Sequence, residues 1–157
     1  KDINLYYIYR EKVSFILTKI AIMKKLKYLI ILTILSCNNK QDFIQDVYVN
    51  EFIDLSLPMY SDISTPGNSI FITGGVSGII IYHGTGNDYK IYDRNCSYEP
   101  SLICSRIDSV NSGIAYCECC PSAFSLYNSG EAINSPALLP LKSYNWSLND
   151  NILRIFN

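Results

Sequence analysis

Three cysteines fall within four residues in the stretch Tyr116-Cys117-Glu118-Cys119-Cys120-Pro121-Ser122-Ala123-Phe124. Cys117 and Cys120 form a C-x-x-C, a spacing that lets one short loop aim two sulfurs at a common centre. Cys96 and Cys104 lie upstream in a second loop, residues 95–104. Two cysteine-bearing loops on a β-rich frame predict either a metal or iron–sulfur knuckle, or a pair of disulfides.

The frame that must hold these loops reads as strands. The 157 residues include thirteen tyrosines and are 48% hydrophobic and 17% charged, the balance of an ordinary globular protein rich in strand formers. Residues 47–57 alternate, and residues 58–60 and 64–68 break the pattern with Pro and Gly. Strands are expected over 69–73, 79–83 and 89–93, the last two joined by Gly84-Thr85-Gly86-Asn87-Asp88 as a hairpin turn. Further short strands are expected over 105–110, 113–116, 124–127 and 132–134. Residues 135–140 form a proline-rich loop, and 144–148 with 152–156 a last hairpin. No repeat or convincing helix appears. The expectation is an all-β domain of about ten short strands.

Seven of the thirteen Lys and Arg precede residue 28. From Cys37 onward six Lys and Arg face twelve Asp and Glu, a net of −6. An acidic body lacks the basic face that nucleic acid requires.

Residues 1–22 precede the first methionine and read as an upstream or mis-started segment. From Met23, Lys24, Lys25 and Lys27 lead a short apolar run, residues 28–35, ending in Ser36 and Cys37. The run is too short to span a bilayer and reads as an export signal. Ile34-Leu35-Ser36-Cys37 resembles the bacterial lipobox, which implies cleavage before Cys37 and a lipid on its sulfur. Residues 38–46 read as a polar tether and 47–157 as the domain. The protein is thus expected to be exported and lipid-anchored to a membrane, on the periplasmic or surface side.

From about residue 69 to residue 157 the order of loops resembles the Rieske iron–sulfur domain. That family carries C-x-H in one hairpin loop and C-x-x-H in a second, with a proline loop after them. Residues 92–98 match the first loop, residues 117–124 the second, and Ser135-Pro136-Ala137 the proline loop. The resemblance implies a Rieske-like antiparallel β-sandwich with two cysteine-bearing hairpin loops side by side. It places Cys96, Tyr98, Cys117 and Cys120 at the ligand positions, with Tyr98 and Cys120 standing where the family has histidine. It implies supporting roles for Ser122, Phe124 and Pro136, and a Cys104–Cys119 disulfide between the loops. Pro121 replaces a glycine, so the second loop is expected to turn differently.

A Rieske centre uses two Cys on one iron and two His on the other, and the chain has one histidine, His83. Ordinary ligation is therefore excluded. The readings left are a metal-free structural or binding module tied by disulfides, an electron-transfer protein with an altered 2Fe–2S cluster and a redox partner, and a zinc site using four cysteines such as Cys96, Cys104, Cys117 and Cys120. No nucleophile–base pair is visible, so a stand-alone enzyme is not expected. His83 reads as a solvent-facing loop residue, Asp93, Glu99 and Glu118 as surface loop acids, and Trp146 as core.

Overall fold

The computed structural model describes residues 43–157. The upstream segment 1–22, the signal 23–37 with Cys37, and residues 38–42 lie outside the described residues. Among the described residues no helix is long and apolar enough to cross a membrane.

Among the described residues, ten strands form three antiparallel sheets. In chain order they are β1 (Asn50–Asp54), β2 (Ser69–Ile72), β3 (Ile79–His83), β4 (Tyr89–Asp93), β5 (Ile107–Asn111), β6 (Ile114–Cys117), β7 (Ala123–Ser125), β8 (Glu131–Asn134), β9 (Asn145–Asn149) and β10 (Ile152–Phe156). The sheets have the orders β1-β10-β9, β2-β3-β4 and β5-β6-β7-β8. Between β1 and β2, Pro58–Ser64 closes into a 3-10 helix with proline at its start, where the sequence reads only as a break.

The β3–β4 hairpin is the middle layer, and its period-2 alternation feeds two cores. Ile80, Tyr82 and Tyr92 point to one side, where they meet Ile107, Ala115, Phe124, Leu126 and the sulfurs of Cys96 and Cys117. Ile79, Ile81, Tyr89 and Ile91 point to the other, against Val49, Ile53, Leu153 and Ile155. Burial on both faces explains the uninterrupted run Ile79-Ile80-Ile81, in which every residue is fully buried. Residues 142–144 run along the free edge of β4, with Asp93 N–H donating to Lys142 O and Tyr144 N–H to Ile91 O. They carry the chain from the β5-β6-β7-β8 sheet into β9.

Two expectations change. Residues 44–46 belong to the packed chain: Ile44 is 1% exposed. Lys142 Nζ donates to Gln45 O at 2.8 Å and to Asp46 Oδ1 at 2.7 Å. One apolar side chain inside a polar run is enough to dock the segment. His83 is buried rather than solvent-facing. It stacks on Tyr89, ring centroids 4.7 Å apart, and its Nε2–H donates to Gly86 O at 2.7 Å.

Asp93 also departs from its expectation. It is fully buried at the end of β4, at the entrance to the first cysteine loop. Its carboxylate accepts from the N–H groups of Val76 (2.6 Å), Ser77 (3.2 Å) and Asn95 (2.7 Å) and from the Tyr144 hydroxyl (2.7 Å). These bonds tie the β2–β3 turn, the cysteine loop and the return strand to one point. Gly75 crosses over the carboxylate at φ +61, and a Cβ there would collide with it. Burial, reinforced by the bond to Asp93, raises the pKa of Tyr144, so its hydroxyl remains a donor. Replacing Asp93 by Ala strands three amides and a hydroxyl in a dry site. It is expected to cost at least about 3 kcal/mol, read from urea unfolding, with Asp93→Asn falling between it and the parent. A loss below about 1 kcal/mol would refute this account.

Candidate metal centre

The first cysteine loop is closed at its base by paired arms. Cys96 N–H donates to Ser105 O at 2.9 Å and Ile107 N–H to Arg94 O at 2.6 Å. The Arg94 guanidinium lies over the Phe71 ring, 4.1 Å from its centroid, and donates from Nε and Nη2 to Ile107 O. Within the loop Ser105 Oγ donates to Tyr98 O at 2.6 Å, and Asn95 Nδ2 to Pro100 O at 3.1 Å. The second loop leaves β6 at Cys117 and returns at Ser122, with Cys117 N–H donating to Ser122 O. Glu118 N–H donates to Arg106 O, which fastens the second loop to the base of the first. The proline loop completes the tip. Ser97 Oγ donates to Leu139 O at 2.6 Å, Asn134 Nδ2 to Pro121 O at 2.6 Å, and Ala137 N–H to Ser122 Oγ at 2.9 Å.

This folding brings Cys96, Cys117 and Cys120 together, their sulfurs all within 4.8 Å of one another. The Cys96 and Cys120 sulfurs are 3.9 Å apart. Cys96 and Cys117 are buried and form the floor of the triangle, while Cys120 is half-buried. A backbone amide near each sulfur lowers its pKa: Tyr98 N–H for Cys96, Cys119 N–H for Cys117, and Ser122 N–H for Cys120. Amides aimed at sulfur favour its ionised form.

The three thiols differ in acidity. Burial pushes the Cys96 thiol up and the Cys117 thiol to about 12, the latter also raised by its sulfur neighbours. Burial opposes ionisation of Cys120 too. There the Ser122 hydroxyl, the Cys117 thiol and the Ser122 amide together outweigh it, and the Cys120 thiol lies below its ordinary range. Cys120 is therefore the first of the three to ionise.

The other site residues fall as follows. Tyr98 is half-buried against the same core as Cys96. Phe124 is fully buried on β7, opposite Ala115 of β6 and Ala132 of β8, as a core aromatic. Ser122 is buried, its hydroxyl accepts from Ala137 N–H, and it favours the ionised form of Cys120. Pro136 follows a cis peptide from Ser135 and delivers Ala137 to that hydroxyl. Cys104 stands outside the triangle, contrary to the four-cysteine zinc set, because it faces Cys119 instead. Both are thiols in this structure, and that contact is the main cause raising Cys119 to about 12. Glu118 is exposed and paired with Arg106 (2.6 Å), and Glu99 is exposed at φ +48. Trp146 is half-buried, edge-on to Tyr89. Sequence reasoning did not find Asp93 or Arg94 as the supports of the first loop.

The donor set does not fit a Rieske cluster. His83 sits at the far end of β3, paired with Tyr89, whereas the loop end of that strand is Ile79, paired with Asp93. Cys120, at a position that should serve the second iron, lies 3.9 Å from Cys96, which should serve the first. Two sulfurs on one tetrahedral ion with bonds of about 2.3 Å are separated by about 3.8 Å. The Cys96–Cys120 edge thus has the length expected for two sulfurs on one ion.

No protein-family model matches the chain, and no curated protein does. Solved structures do. The chain is similar to one from the complex of reduced oxygenase and oxidized ferredoxin in carbazole 1,9a-dioxygenase, with 12% identity and TM-score 0.46 over 71% of this chain and 94% of that one. It is similar to the ferredoxin of carbazole 1,9a-dioxygenase from Nocardioides aromaticivorans IC177, with 13% identity and TM-score 0.41 over 59% and 86%. It is also similar to an NADH-dependent nitrite reductase small subunit from Mycobacterium tuberculosis, with 12% identity and TM-score 0.42 over 71% and 97%.

Cys120 is expected to react with iodoacetamide at pH 7 faster than Cys96 or Cys117, in a Cys104→Ser, Cys119→Ser background. The rate should fall as pH drops through the Cys120 pKa, and Ser122→Ala should move that profile to higher pH. Quenched labelling read by mass spectrometry checks the order. Equal rates at all three sulfurs would contradict it.

Proposed function

We propose that the domain is a metal-binding module whose two cysteine loops hold one thiophilic ion, of the zinc type, in place of the two-iron cluster implied by its Rieske-like loop order. The observation that carries this reading is the triangle of Cys96, Cys117 and Cys120, with all sulfurs within 4.8 Å. Cys96 and Cys117 resist ionisation in this apolar site, and a cation is what would let all three sulfurs ionise together. A dication bound by them leaves a net charge of only −1 at the tip. Soft thiolates select zinc, monovalent copper or iron, and the dication is the best electrostatic match. The Cys104 and Cys119 pair lies beside the triangle and can close a disulfide without removing a ligand.

Protein purified without oxygen is expected to hold one equivalent of zinc-class metal and no acid-labile sulfide. Cys96→Ser, Cys117→Ser and Cys120→Ser should each weaken binding at least about tenfold, while Cys104→Ser and Cys119→Ser should not. Iron and sulfide in equal amounts would overturn the reading in favour of an altered 2Fe–2S cluster and electron transfer.

The export reading completes the proposal: the module is carried on a membrane by a lipid on Cys37. Stable anchoring needs more than one acyl chain, which the lipobox resemblance implies. Metabolic labelling with radioactive palmitate should mark the protein, and Cys37→Ser should abolish the label and release the protein from the membrane fraction. Labelling that survives Cys37→Ser would rule out the anchor.

A further inference from the structure

The triangle supplies three corners of a four-cornered shell. Structural ions of this class are closed by four protein donors, whereas sites that handle a ligand keep three and leave one corner to solvent. Among the described residues, no fourth His, Cys, Asp or Glu brings a donor atom to the sulfurs of Cys96, Cys117 and Cys120. The two remaining cysteines of the domain are engaged with each other, Cys119 against Cys104.

Burial tells which side is open. Cys96 is 0% and Cys117 9% exposed, packed in one core with Ile107 and Phe124. Cys120 is the member of the triangle that reaches towards solvent. An ion seated on these three sulfurs would have two of its ligands in the core and the third, Cys120, nearest to solvent.

We propose that this fourth position is open to solvent and takes a small exogenous thiol, so that the tip is a ligand-binding centre rather than a closed structural knot. The inference rests on the single-ion reading above. Sulfur is the donor that a thiolate-rich soft centre prefers. With an ion held by Cys96, Cys117 and Cys120, an incoming thiol would give its proton to solvent and its sulfur would displace one water from the ion. The added negative charge falls on the exposed side, where water screens it best.

The test uses the full chain, purified without oxygen, freed of metal and loaded with cobalt(II), whose colour reports tetrahedral geometry and thiolate number. The ligand-free cobalt protein should show a tetrahedral spectrum with three thiolates. Titrating 2-mercaptoethanol should shift the visible bands saturably, one thiol per chain. The thiolate-to-cobalt absorption should rise by about one third as three sulfur bonds become four. Azide should compete with the thiol. A tetrahedral cobalt spectrum that ignores both thiol and azide overturns the open corner while leaving the single-ion site standing. A change in the ligand-free spectrum on Tyr98→Phe also overturns it, by making the phenolate the fourth ligand. Failure to bind cobalt in tetrahedral form removes the single-ion reading itself.

Discussion

The buried carboxylate of Asp93 is the constraint on which the rest of the tip depends. An ionised side chain inside a protein must be fully solvated by protein donors. Asp93 meets that demand with donors from three separate pieces of chain: the turn before β3, the first cysteine loop and the strand after the proline loop. Backbone bonds already set residues 142–144 along the edge of β4, and the carboxylate ties all three pieces to one point where the Cys96 loop begins. The glycine at 75 is required by the same carboxylate, because any side chain there would occupy its space.

The sulfur triangle grows out of that anchored base. Cys96 leaves from beside Asp93, and Cys117 and Cys120 arrive from a loop fastened to the base of the first by Glu118 N–H on Arg106 O. What results is an apolar floor with two thiols that resist ionisation and a rim with one that does not. Backbone amides already favour the ionised form of all three. With cysteine at position 120, the second loop brings a sulfur to 3.9 Å from that of Cys96.

The layers were legible in the sequence because their signals are local. The apolar run at 79–83, the glycine-rich turn after it and the return at 89–93 define the middle hairpin to the residue. The nearness of the two cysteine loops was legible from their order along the chain. The triangle was not, because a C-x-x-C does not state which neighbouring sulfur its second member will meet. Asp93 was misread because an acid at a strand end looks like a surface residue, and nothing in the sequence announces four donors converging from distant positions. His83 was misread for a related reason. Its turn neighbours are polar and glycine-rich, yet the ring is covered by Tyr89 and bonded to the turn itself. Ile44 was hidden inside a polar run whose average character is that of a linker.

The Ser122 hydroxyl has two duties at once, favouring the charged form of the Cys120 sulfur and accepting from Ala137 N–H. That makes the proline loop and the reactive sulfur two ends of one short lever. Whatever pulls the loop outward loosens the hydroxyl's hold on the sulfur's charge, and whatever neutralises the sulfur loosens the loop. The coupling is reciprocal by thermodynamic necessity. A contact made on the outer surface of residues 136–139 is therefore felt at the rim of the triangle without touching it.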